Sequence, residues 1–98
     1  MSKRFWTGLM VLVFLSFSLS GCYYFAAKNE IKTAEKLTSN LKEAGGLTLV
    51  PYEYCSAEKF LEISKMEFNE NDFRAAKGFA SRSKSAAEAG LAEVQKKK

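Results

Sequence analysis

Three stretches of the chain repeat apolar residues at the three-and-four spacing of an α-helix, and none alternates with the period of a strand. The first, about 23–44, sets Ala26, Ala27, Ile31, Ala34, Leu37, Leu41 and Ala44 on one side. Gly45-Gly46 ends it, because glycine takes the left-handed conformation that closes a helix. Leu47-Thr48-Leu49-Val50 then reads as an extended apolar link, and Pro51 pushes Val50 away from helical angles. Proline is well tolerated in a first helical turn, so the second helix is expected over about 52–69, starting at Pro51 or Tyr52.

The second helix has more than one apolar surface. Tyr54, Ala57, Phe60, Leu61, Ser64 and Phe68 share one arc, and Tyr52, Cys55, Ile63 and Met66 share another. A narrow polar strip of Glu58, Glu62, Lys65 and Asn69 separates them. Helices apolar around most of their circumference are usually buried between neighbours, so the simplest expectation makes this helix central, packed by the other two. The sharper alternative is that the second arc docks a partner protein. Asn69-Glu70-Asn71-Asp72 breaks the pattern and offers N-caps for a third helix, about 72–94. Ala76, Ala80, Ser83 and Ala87 give that helix a small-residue face for close approach, with Phe73 and Phe79 filling the wider end. Gly78 and Gly90 each cost about 1 kcal/mol of helix stability against alanine, so fraying is expected beyond Gly90. The fold class is therefore all-α, a short three-helix bundle or a helical hairpin plus an N-terminal helix.

The segment before these helices has a different character. Lys3 and Arg4 open the chain, and Phe5 to Ser20 is uncharged and rich in Phe, Leu and Val. A basic start followed by a short apolar run is the pattern of a secretory signal, and Thr7, Gly8, Ser16, Ser18 and Ser20 make the run marginal as a permanent span. It ends in Leu19-Ser20-Gly21-Cys22, which resembles the lipobox of bacterial lipoproteins. The resemblance implies cleavage between Gly21 and Cys22, removal of 1–21, a diacylglyceryl group on the Cys22 thiol and an acyl group on the new amine. Residues 22–25 would then be an acylated anchor, 26–94 a small helical domain and 95–98 a basic tail. Each buried methylene contributes about 0.8 kcal/mol, so three acyl chains would hold the chain on membrane lipid. Tyr23 stands where an aspartate retains such proteins at the inner membrane of enteric bacteria. The resemblance therefore implies an outer membrane location facing the periplasm.

Removal of 1–21 changes the electrostatic picture. The 15 basic residues lose Lys3 and Arg4 and then exceed the 11 acidic ones by only two. Lys96-Lys97-Lys98 is the one basic cluster, too little for a nucleic-acid footprint, and no nucleic-acid partner is expected. With Cys22 acylated, Cys55 stands alone, which suits either a buried thiol or an intermolecular disulfide; burial is the expectation. With no histidine in the chain, no metal site or Cys-His nucleophile is expected, and no cofactor beyond the lipid on Cys22.

Nothing resembles catalytic machinery. The acids are scattered among lysines at the spacing of solvated helix faces, and phosphate loops and nucleophile elbows are missing. Ser81-Arg82-Ser83-Lys84-Ser85 reads as a solvated face. Val50-Pro51-Tyr52-Glu53, Ala57-Glu58, Leu61, Asp72-Phe73, Ala76 and Ala80 together resemble a family of small bacterial lipoproteins known only as a domain of unknown function. That likeness spans most of 26–92, departs from the family at Val50 and Ser64, and implies a helical fold without implying a reaction. Asp72-Phe73-x-x-Ala76 also weakly resembles a tetratricopeptide unit, but a solenoid needs about three copies and one is present.

The reading is a membrane-anchored envelope protein, not an enzyme, acting as a structural or protein-interaction module toward another envelope protein. Tyr52, Cys55, Ile63 and Met66 form the candidate partner face. Lys96, Lys97 and Lys98 support two alternatives, covalent linkage to peptidoglycan through the last lysine, or contact with an anionic surface.

Overall fold

A computed structural model describes the backbone of residues 2–97, with side chains described for 3–14 and 23–97. Among the described residues all regular structure is helical: α1 (Ser2–Glu43), a single turn α2 (Gly46–Leu49), α3 (Pro51–Asn69) and α4 (Phe73–Lys97). The first predicted helix is the second half of α1, which continues unbroken from the apolar N-terminal segment. Phe5, Trp6 and Leu9 to Phe14 are all exposed on that first half.

Local chemistry sets the boundaries. Gly45 closes α1 at φ 87°, donating to the Lys42 carbonyl, and the same carbonyl-out geometry starts α2, where Thr48 and Leu49 donate back to Gly45. The extended link expected over 47–50 is therefore a helical turn. Once Gly45 reverses the chain, its free carbonyl can accept two amides, which an extended link would leave unused. Val50 does leave the helical region (φ −138°, ψ 64°) ahead of Pro51, and Pro51 opens α3. Asn71 takes φ 66°, and Asp72 caps α4 by accepting from the Ala75 amide at 3.2 Å.

The chain runs up α1, down α3 and up α4. At the lower end Tyr24 of α1 meets Phe68 and Phe73, with ring centroids 5.3 and 5.1 Å away. Halfway up, Glu35 pairs with Lys65 at 2.8 Å, and Glu30 accepts from Ser81 at 2.9 Å. At the upper end Leu41, Val50, Tyr54 and Val94 form an apolar plug, with Ala44, Leu49 and Leu91 around it.

The middle helix is α4, not the second predicted helix. It packs along both neighbours, whereas α1 and α3 touch each other much less. The cause is its seam of Ala76, Ala80, Ser83, Ala87 and Gly90, all buried, which lets two helices approach at once. Two buried hydroxyls fix the α3–α4 contact: Ser64 donates to the Ala76 carbonyl at 2.5 Å and Ser83 to the Ala57 carbonyl at 2.6 Å. Ser83 is thus core, as its place on the small-residue face implied, and the solvated reading of the serine run holds for exposed Ser85 but not for Ser83. The helix does not end near Gly90 but runs on to Lys97, with Gly90 buried close against Leu41 and Glu53. Of the two phenylalanines expected at the wide end, Phe73 joins the lower aromatic cluster. Phe79 instead stacks on Phe60 at 6.3 Å beneath Arg82.

Candidate functional site

Because α4 occupies the centre, α3 is an outer helix with one face free. Its inward face is held by Tyr54, Ala57 and Ser64, all buried. Its outward arc carries Tyr52, 79% exposed, Cys55, also exposed, and Met66, 57% exposed, with Ile63 half-buried at the edge. The arc expected to be core is therefore mostly solvent-facing, and so is the thiol expected to be buried. The sequence signal was sound as to hydrophobicity but silent as to which neighbour would cover it.

The residues around this arc are charged. A shallow depression is lined by Cys55, Glu58, Lys59, Leu61, Glu62 and Lys65. On the inward side Tyr54 donates to Glu58 at 2.6 Å. That hydrogen bond, with burial second, raises the phenol above its ordinary value of 10.0.

A second groove, between α1 and α3, was not read from the sequence. Lys28, Lys32 and Lys65 stand around Ile31 and Phe68, with Glu35 tied to Lys65 across it. It exists because α1 and α3 both lean on α4 and leave a gap on the other side. Only the order of packing reveals it. The exposed rings of Tyr23 and Phe25, one and three residues past Cys22, were visible in sequence as part of the run Tyr23-Tyr24-Phe25.

The remaining candidate residues lie apart from this face. The backbone at Gly21 and Cys22 is helical, but their side chains lie outside the described residues, as does Lys98. Lys96 and Lys97 belong to the last turn of α4 rather than to a tail. Lys96 pairs with Glu93 at 3.4 Å, and Lys97 donates to the Leu49 carbonyl at 2.7 Å. Since α4 runs parallel to α1 and its 25 residues span about 37 Å, these lysines sit at the opposite end of the bundle from residue 23.

Among the described residues no group of histidine, cysteine or acidic side chains could hold a metal ion. Among them, too, no helix is long and apolar enough to cross a membrane. Compared with models of protein families, with curated proteins and with solved structures, the chain matches none.

Proposed function

We propose that the chain is a lipid-anchored envelope protein of the outer membrane, facing the periplasm, that works as a protein-interaction module without catalysis. The observation that carries this reading is the outward arc of α3. Tyr52, Cys55 and Met66 are exposed on a helix whose other face is fixed by the Ser64 and Ser83 hydrogen bonds. A large exposed aromatic and a flexible thioether on a rigid support are what a partner helix or groove can bury. The lipobox-like Leu19-Ser20-Gly21-Cys22 supports the location, with diacylglyceryl and N-acyl groups on Cys22.

A photo-crosslinking amino acid placed at Tyr52 or Met66 in cells should give a discrete adduct, and one at exposed Glu88 of α4 should not. Equal adducts from all three positions, or none, would remove the partner face. Ile63→Glu with Met66→Glu should abolish the adduct while leaving helicity intact. Palmitate labelling with a Cys22→Ser control tests the anchor, and an unlabelled wild type sinks it.

The geometry of α4 supports one second reading. Its lysine end stands a bundle length from residue 23, which suits reaching peptidoglycan through Lys98 and disfavours contact with headgroups of the anchoring membrane. Wall fragments released by a muramidase should carry the protein if Lys98 is linked, and deleting Lys98 should free it.

A further inference from the structure

Tyr23 and Phe25 are 41% and 64% exposed midway along α1, at the lower end of the bundle, on a helix that continues without a break into the exposed apolar residues Phe5, Trp6 and Leu9 to Phe14. Beside them, Tyr24 turns inward and is clasped by Phe68 and Phe73, whose own rings are 5.1 Å apart. Tyr24 also meets Phe25 edge-on at 5.4 Å. Phe68 lies in the last turn of α3 and Phe73 begins α4, so this cluster ties all three long helices together at one end. The lower end of the bundle is thus a rigid aromatic collar with two rings left in solvent.

Water is a poor environment for rings placed there, but the boundary between headgroups and acyl chains suits them. Tyrosine and other aromatic side chains collect at that depth because one end is apolar and the other wet. Lys28, with its ammonium 5.9 Å from the Tyr24 ring, stands one turn farther along α1. Arg74 is exposed at the same end. Three acids lie at this end as well, and Glu67 is half-buried in the last turn of α3. Asp72 is engaged in capping α4, and Glu70 is exposed in the turn where it can stay in water.

We infer that Tyr23 and Phe25 insert into the phospholipid interface and seat the bundle upright on the membrane, so that its orientation is set by the collar and not by a swivelling tether. This rests on membrane attachment at the N-terminal end, whether through lipid on Cys22 or through an uncleaved apolar segment. Either chemistry brings residues 23–25 to the same depth. An upright seat points the outward arc of α3 sideways along the membrane and lifts the end of α4 away from it.

The chain has one tryptophan, Trp6. A Trp6→Phe background therefore leaves an introduced tryptophan as the sole reporter whether or not the first residues are removed. Phe25→Trp and, at the far end, Leu47→Trp change exposed positions and should preserve helicity. The full protein is extracted from membranes, reconstituted in phosphatidylethanolamine–phosphatidylglycerol vesicles and washed with alkaline carbonate to report attachment. The expected result is blue-shifted emission from residue 25, quenched more by lipids brominated near the glycerol than near the chain end, with residue 47 emitting as in water. Retained protein with water-like emission from residue 25 overturns the seat while leaving the anchor standing. A shift at both positions overturns it too, since the bundle would then lie flat. Protein lost in the wash removes the attachment reading, and the seat with it.

Discussion

Two glycines of α4 should respond in opposite directions to the same change. Replacing glycine by alanine in a helix interior gains about 1 kcal/mol of intrinsic helix stability. At Gly78 a new Cβ meets nothing within 4 Å, so Gly78→Ala should keep that whole gain. At Gly90 the Cβ would lie 2.8 Å from Leu41 Cδ2, and 3.1 Å from both Leu41 Cδ1 and Glu53 Cβ. Carbon atoms prefer about 3.5–4.0 Å, so something must move. Leu41 is fully buried and also fills the space beside Gly46, while Glu53 Cβ is fixed to the α3 backbone. Overpacking of this kind costs about 1–3 kcal/mol, which leaves Gly90→Ala between neutral and about 2 kcal/mol destabilised. In a domain of this size 1 kcal/mol moves the melting temperature by about 4–8 °C. Far-UV circular dichroism melts of the detergent-extracted protein should show Gly78→Ala several degrees above wild type and Gly90→Ala at or below it. Leu41→Val should cost less in the Gly90→Ala background than alone, because the two changes share one space. If Gly90→Ala stabilises as much as Gly78→Ala, the close approach of α4 to Leu41 is wrong.

Further expectations concern single groups. The Thr38 hydroxyl is buried without a hydrogen-bond partner, so Thr38→Val should raise stability by about 1 kcal/mol in a denaturant titration; a loss would mean the hydroxyl is satisfied. The raised Tyr54 phenol stabilises the fold fully below pH 10.0, and that contribution falls as pH climbs through the folded-state value, because the unfolded chain releases its proton first. Tyr54→Phe should therefore flatten part of the alkaline loss of stability above pH 10.0, and superimposable curves would refute the raised phenol. Cys55 should react with a maleimide in the folded protein as fast as in denaturant, and protection until unfolding would return it to the core.

The helix limits were legible where one residue type has one local consequence. Pro51 fixes where α3 begins, Gly45 where α1 ends and Asp72 where α4 is capped, and each acts through its own backbone. Which helix is central was not legible, since that depends on a comparison between helices. The apolar arc of Tyr52, Cys55 and Met66 invited burial, but burial went to the helix that could be approached from two sides. Small side chains settled the matter, and Ser64 and Ser83 joined them once each found a carbonyl to bond. Periodicity placed Tyr52, Cys55, Ile63 and Met66 on one side of α3, but the exposure of Tyr52, Cys55 and Met66 became visible only after α4 took the middle. The groove of Ile31 and Phe68 follows from the same order of packing and has no local signal.

The α4 seam is a core made mainly of absent side chains, and this makes its tolerance of sequence change one-sided. At Ala76, Ala80, Ala87 and Gly90 nearly every replacement adds volume, so drift there can only wedge the helices apart. The outer arc of α3 carries no such restriction, because nothing in the bundle rests on Tyr52 or Met66. Such a scaffold can change what it displays, residue by residue, without renegotiating how it stands.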